Sequence, residues 1–401
     1  MIDLRAARAD PERLRAAVAR KGAAEAFDEL LAADARWREL VPQVDDLRSR
    51  QKIKGKPTPE QVEELKQVKE ELKLLEGELA AAEEARDAAL QAVPNPPHDS
   101  VPDGETEEEA EVVREVGEKP QLAEAKDHLE LANYDMERGA RLSGSRFGYI
   151  VGGAALLSLA LYRFALDRLV AAGFTPVLPP VLVREEAMYG TGFFPAEKSE
   201  YYEIGDDGLY LTGTSEVALA ALHMGEILEA DQLPLHYTAF SANFRREAGA
   251  AGRDTRGMFR VHQFNKVEMF SFVLPETSWD EHERLLGIEE ELVQAVGLPY
   301  RVLNIPTGEL SSAAAKRYDI EAWFPSQKRY REITSCSNTT DFQARRLGIR
   351  YRGEQGIEHV HTLNGTAVTD RWALAILENF QGEVPEALRA YGAPERIEPG
   401  T

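Results

Sequence analysis

Asn243-Phe244-Arg245-Arg246-Glu247-Ala248-Gly249, a Gly/Arg-rich loop to Gly257, then Met258-Phe259-Arg260-Val261-His262-Gln263-Phe264-Asn265-Lys266-Val267-Glu268-Met269-Phe270: this stretch of a 401-residue chain decides the fold. Its second half alternates with period 2, as a strand with one buried face does. One face carries Arg260, His262, Phe264, Lys266 and Glu268; the other carries Phe259, Val261, Val267 and Met269. The two halves read as a hairpin with arginine on one strand and an aromatic ring on the other. That combination suits a nucleotide, with the guanidinium on a phosphate and the ring stacked on the base.

Working outward, three further segments carry polar groups in an ordered series. Leu211-Thr212-Gly213-Thr214-Ser215-Glu216 offers hydroxyls and a carboxylate in a turn of small residues. It reads either as an ammonium site or as a helix cap, with Thr214 capping and Glu216 in the first turn. Arg331-Glu332-Ile333-Thr334-Ser335-Cys336-Ser337 is a strand with a carboxylate and a hydroxyl three residues apart. On a regular strand these face opposite sides, so a shared site needs a bulge. Leu363-Asn364-Gly365-Thr366-Ala367-Val368-Thr369-Asp370-Arg371 leads into a helix through Leu374, Leu377 and Phe380. His359 and His361 read as ordinary strand histidines and Cys336 as a packed small residue. Ahead of the hairpin, an amphipathic helix ending at Ala171-Ala172-Gly173 precedes a strand running to Leu178-Pro179-Pro180. A glycine suits the helix C-terminus and prolines suit a strand edge.

The first hundred residues differ in kind. Asp10-Pro11-Glu12 is a helix start. Leu30, Ala33, Trp37, Leu40, Val44 and Leu47 recur at spacings of 3, 4, 3, 4 and 3, as do Leu65, Val68, Leu72, Leu75, Leu79 and Ala82. These are two heptad seams. A short Gly/Pro connection from Lys52 to Pro59 turns the second helix back along the first. About 26 residues per helix gives an arm of roughly 40 Å, with a kink expected at Pro42. The tip carries Arg48, Arg50, Lys52, Lys54 and Lys56 within nine residues. Such a tip is either a phosphate-backbone contact or a solvated turn. Pro94-Asn95-Pro96-Pro97 and the acids to Glu111 read as a linker. The expected division is arm 1–93, linker 94–110 and catalytic domain 111–401, in an α+β fold.

Composition agrees. Hydrophobic residues make up 43% and charged residues 29%, enough for a large core, and the net charge of −22 argues against bulk nucleic-acid binding. A single cysteine, Cys336, rules out an internal disulfide and suits a reducing compartment. The longest charge-free run, Phe147 to Tyr162, is sixteen residues, short of the roughly 20 that span a bilayer. With no apolar leader at the N-terminus, the expectation is a cytoplasmic protein with no membrane partner.

The hairpin Phe-Arg-Arg-Glu-Ala-Gly … Arg-Val-His-Gln-Phe-Asn-Lys-Val-Glu resembles the seryl form of motif 2 in the class II aminoacyl-tRNA synthetase family. The helix and strand ending near Pro179 resemble its motif 1. The 363–371 segment resembles motif 3, one residue short between Thr366 and Arg371, and the N-terminal hairpin resembles the seryl arm. The resemblance implies a catalytic domain built on an antiparallel sheet flanked by helices, with an N-terminal coiled-coil arm. It implies serine–tRNA ligase activity, with ATP and L-serine as substrates, Mg2+ as cofactor, tRNA(Ser) and with it tRNA(Sec) as acceptors, and a homodimer. Arg245, Arg246, Glu247, Val261, Phe264, Glu332, Ile333, Thr334, Ser335 and Arg371 would bind ATP, Glu332 and Ser335 through Mg2+. Thr214, Ser215, Glu216, Glu268, Asn364 and Thr366 would bind serine. Arg253 and Arg256 would approach the tRNA acceptor stem, and the basic tip would grip tRNA. Phe264 and Glu268 stand about 13 Å apart along a strand, which suits the two ends of an extended adenylate. Only 20 residues follow Gln381, so no C-terminal anticodon domain is expected and tRNA choice falls to the arm. Two rivals remain at this stage: a synthetase-like ligase that charges a carrier protein, and a coiled-coil adaptor on an inactive synthetase fold.

Overall fold

The computed structural model describes the chain except residues 53–57, 250, 251, 253, 255, 355, 400 and 401. It divides into two units, Met1–Pro97 and His98–Thr401.

The first unit is helical: α1 (Leu4–Ala9), α2 (Pro11–Ala19), α3 (Ala24–Arg50) and α4 (Pro59–Ala92). Asp10 caps α2 by accepting from the Arg13 amide, and Thr58 with Gln61 forms a reciprocal capping box at the start of α4. α3 and α4 pair as the seams require: Val44, Leu47, Val68 and Leu72 are buried together, with Leu75 and Leu79 against them. A second cluster at the base joins Ile2, Ala7 and Val18 to Phe27, Leu30, Leu90 and Val93. On α3 the seam positions Ala33 and Trp37 are only half-buried, as are Leu65, Leu75, Leu79 and Ala82 on α4; the Arg86 guanidinium covers the Trp37 ring at 4.2 Å. Asp34, off the seam, is buried because Arg8 grips its carboxylate through two nitrogens, Nε at 2.8 Å. α3 runs unbroken through Pro42. The proline removes an amide donor, and the Gln43 side chain donates to the Glu39 carbonyl at 3.0 Å in the same turn.

The second unit is built on an eight-stranded sheet. In chain order the strands are β1 (Glu111–Val116), β2 (Thr175–Val177), β3 (Leu235–Phe244), β4 (Gln263–Val273), β5 (Tyr300–Asn304), β6 (Lys316–Phe324), β7 (Arg329–Asn338) and β8 (His361–Thr369). Their spatial order is β1-β5-β6-β7-β8-β4-β3-β2. Every pairing is antiparallel except β2 with β3. Helices α5 (Gly153–Ala171), α6 (Ser278–Val296) and α7 (Asp370–Phe380) bury their apolar faces with Val267, Met269, Ile320, Ile333, Leu363 and Val368 of the sheet. The later part of the charge-free run opens helix α5, which buries one face and leaves Leu156, Leu159 and Val170 exposed, and no described helix is long and apolar enough to cross a membrane. α5 ends at Gly173, whose φ of +93° only glycine adopts without strain.

Three expectations change in detail. Residues 98–110, read as linker, pack in the second unit: Val101 is buried with Leu303, Ile305 and Leu310, and Asn304 donates to the Ser100 carbonyl at 2.8 Å. The strand expected from Met258 begins at Gln263. Ahead of it the backbone bonds elsewhere, the Phe259 carbonyl accepting from Arg371 Nε at 3.3 Å and the His262 amide donating to the Arg146 carbonyl at 3.1 Å. The apolar strand expected to reach Pro180 stops at Val177, leaving Leu178 exposed.

Candidate active site

The required bulge exists. Across β6 and β7, Ile320 pairs with Thr334 but Glu321 pairs with Glu332, so Ile333 is the extra residue. Its carbonyl, displaced from the ladder, accepts from Trp372 Nε1 at 3.1 Å and Thr369 Oγ1 at 3.2 Å. A second bulge lies in β8, where Val368 faces Val267 but Thr366 faces Glu268, leaving Ala367 over. The two irregularities turn Glu332 and Ser335 to one side and set Thr366 beside Glu268.

These residues line a cavity of about 310 Å³ on the sheet face opposite α6. Of the sequence-derived candidates, Thr214, Glu216, Arg245, Glu247, Val261, Phe264, Glu268, Glu332, Ile333, Thr334, Ser335, Asn364, Thr366 and Arg371 all face it. Ser215 does not; it is buried at the cap of a short helix, Glu216–Ala220. Arg246 also lies outside, its amide on the Glu200 carbonyl and its guanidinium 6.0 Å from the Tyr202 ring.

One end of the cavity is cationic. The Arg245 guanidinium sits 5.3 Å from the Phe264 ring, and Arg245 Nε donates to the Gly213 carbonyl at 3.3 Å. β3 and β4 hold this pair in register, Phe264 opposite Asn243. Arg371, in the first turn of α7, pairs with the Glu332 carboxylate at 2.7 Å. Burial works against charge on Glu332, but Arg371 and Arg317 outweigh it and hold its carboxyl down to about 2. Arg260 pairs with Glu247 at 2.6 Å. Glu247 takes a positive φ of 51° there, a conformation uncommon outside glycine.

The other end is anionic and enclosed. Gln343 Nε2 and Asn364 Nδ2 both donate to Glu216 Oε1, at 2.7 and 3.0 Å. Burial, then the neighbouring Glu268, pushes the Glu216 carboxyl up to about 7 against the pull of Lys266 and Arg245. Burial likewise raises Glu268. Thr214 Oγ1 accepts from the Glu216 amide at 3.1 Å, just ahead of the short helix, and Thr214 also faces the cavity. Thr366 is buried, its carbonyl accepting from Thr334 Oγ1.

Sequence reading gave no role to Arg260, Lys266 or Arg317, which also line the cavity. A signal for the first two was present: they alternate with Phe264 and Glu268. Arg317 gave none, since only the pairing of β6 with β7 brings it near. Among the basic residues expected to meet RNA, Arg48 pairs with Glu76 at 2.9 Å, Arg50 approaches Glu64 at 3.8 Å and Lys52 is exposed. Arg256 pairs with Asp127 at 3.0 Å. Lys54, Lys56 and Arg253 lie outside the described residues.

Comparison with known proteins agrees with this geometry. Residues 200–380 match the tRNA synthetase class II core domain (G, H, P, S and T), and residues 1–97 match the seryl-tRNA synthetase N-terminal domain. A serine–tRNA ligase of Thermobifida fusca is 48% identical, the alignment covering 100% of this chain and 99% of that one. The structure of seryl-tRNA synthetase from Pyrococcus horikoshii complexed with ATP superposes with a TM-score of 0.94 at 39% identity, covering 100% of both chains. A cytoplasmic serine–tRNA ligase from Naegleria fowleri in complex with AMP gives 0.89 at 32% identity, covering 98% of this chain and 96% of the other. Arm, sheet, cavity and relatives point one way, and the chain belongs to the serine–tRNA ligase family of class II aminoacyl-tRNA synthetases.

Proposed function

We propose that this chain activates L-serine with ATP and transfers it to the 3′ end of tRNA(Ser), and of tRNA(Sec). The observation that carries the reading is one cavity with an arginine-and-aromatic end and an enclosed carboxylate end. Arg245 binds the α-phosphate and the serine carboxylate, Phe264 stacks on adenine, Glu247 takes the adenine amino group and Arg371 the γ-phosphate. Val261, Ile333 and Thr334 wall the nucleotide. Thr214 and Glu216 hold the serine ammonium with Glu268 beside them, while Thr366 and Glu268 meet its hydroxyl and Asn364 borders it. A buried hydrogen-bonding partner discriminates against analogues that lack the hydroxyl.

The serine carboxylate attacks the α-phosphorus in line, forming seryl-adenylate and releasing pyrophosphate. The terminal ribose hydroxyl of tRNA then attacks the acyl carbon, forming the ester and releasing AMP. The chain contributes positioning and charge, with no covalent enzyme intermediate. Mg2+ fits Glu332 and Ser335: both are hard oxygen donors facing the cavity, and this ion takes few protein ligands beside substrate phosphates. When bound it would neutralise phosphate charge.

The arm, through Arg48, Arg50, Lys52, Lys54 and Lys56, grips tRNA, and Arg253 and Arg256 approach the acceptor stem. The ion pairs that Arg48 and Arg50 make are exposed and weak, so phosphate can replace their partners. Leu156, Leu159 and Val170 of α5 and the neighbouring Leu178 are exposed apolar residues, which supports a second copy of the chain as partner. A cytoplasmic location fits the single buried cysteine. The carrier-protein ligase is disfavoured because the helical arm is present and matches the seryl N-terminal domain. Serine-dependent ATP–pyrophosphate exchange, run beside threonine and alanine, tests the reading. Absence of exchange with serine would overturn it.

A further inference from the structure

The groups assigned to the serine ammonium already surround an ammonium of the protein itself. Lys266 is 6% exposed, although lysine is rarely buried without a partner. Its Nζ donates to Thr214 Oγ1 at 2.7 Å and forms an ion pair with the Glu268 carboxylate. Lys266 and Glu268 are two apart on β4, so their side chains share the face that lines the cavity. Glu216 is close enough for its charge and that of Glu268 to oppose each other.

A buried lysine of this kind has a plain structural use, to neutralise one buried acid. The charge count here says more. Glu216 and Glu268 together present two negative charges to one substrate ammonium. With Lys266 between Thr214 and Glu268 these side chains keep one net negative charge, and one substrate cation completes it; Arg245, which also draws on both carboxylates, faces the substrate's own carboxylate and phosphate. Without Lys266, Glu268 is a buried carboxylate lacking its nearest cation, and Thr214 Oγ1 keeps only the Glu216 amide as a donor.

We propose that Lys266 is a positioning residue of the amino-acid pocket: it fixes Thr214 and Glu268 and sets the local charge so that the pocket accepts a single ammonium. This rests on the serine-activation reading. The test is pyrophosphate exchange on the full chain with Lys266→Met and Lys266→Gln, beside Lys266→Arg, which keeps the cation. The expected result is a serine KM raised at least 20-fold in Met and Gln, an ATP KM within twofold of wild type, and recovery to within fivefold in Arg. Thermal unfolding identifies which variants fold, and Lys266→Gln, which keeps a donor for Thr214, stands in if Lys266→Met does not. A serine KM within threefold of wild type in a folded Met or Gln variant would overturn the inference. So would a rise in ATP KM that matches the rise for serine. Wild-type protein inactive with serine would overturn the functional reading instead, so the two failures are distinguishable.

Discussion

Glu216→Gln is expected to make the protein more stable and less useful, and the size of the gain depends on pH. In the fold, burial and Glu268 raise this carboxyl from 4.5 to about 7. The neutral form costs nothing below pH 4.5. As pH rises the unfolded chain ionises first, the penalty on the fold builds, and it is complete above about 7. The full penalty is about 3 kcal/mol. Glu216 as a residue is only half-buried and lines a cavity, so this figure is a ceiling. Glutamine keeps an oxygen to accept from Gln343 and Asn364 and removes the charge. Urea unfolding of wild type and variant at pH 5 and pH 8 measures the difference. The variant should gain up to about 3 kcal/mol at pH 8 and under about 1 at pH 5. Serine-dependent exchange should fall at least a hundredfold, because the substrate ammonium loses its carboxylate. In wild type, kcat/KM for serine should fall about tenfold per pH unit below 7 as Glu216 takes up its proton. Equal stability at pH 8, or a gain larger at pH 5, would refute the account of Glu216 as a strained, buried anion.

Other perturbations probe separate parts. Arg245→Ala should lower exchange at least a hundredfold, the scale for losing one donor that meets developing charge; near-normal exchange would remove Arg245 from the α-phosphate. Replacing residues 36–83 with a short turn keeps the base cluster of Phe27, Leu30, Leu90 and Val93. It should leave exchange within twofold while abolishing tRNA charging, and retained charging would show that the arm is not the grip. Gly365→Ala should destabilise by about 1–3 kcal/mol, read by urea unfolding, because its Cβ would meet Met269 Cε at 3.0 Å, Glu289 Oε1 at 3.1 Å and Cys336 Cβ at 3.2 Å.

The arm was legible because heptad spacing is local and survives in one dimension: Val44, Leu47, Val68 and Leu72 meet where the seams place them. α3 stays continuous through Pro42, since a helix held along one face by its partner tolerates a missing amide. The strand after Met258 was read too long, because alternation continues in the sequence where Arg146, Arg245 and Arg371 hold the backbone irregular. Ser215 and Arg246 adjoin lining residues in the chain yet do not line the cavity themselves, because neighbours in a turn or loop need not point the same way.

By itself the sequence determined the α+β class, the helical arm, the order of the site segments and which polar side chains belong together. The arm and the segment order rest on periodicity and turn chemistry, which are properties of near neighbours, while the fold class and the grouping of polar side chains are what the resemblance to the class II family implied. The tertiary structure alone decided that Ile333 and Ala367 bulge, that Arg317 reaches the cavity and that Lys266 occupies the acidic end. It also decided that Glu216 sits near 7, since a carboxyl's proton affinity depends on what surrounds it in space, and Glu268, Gln343 and Asn364 are distant in the chain.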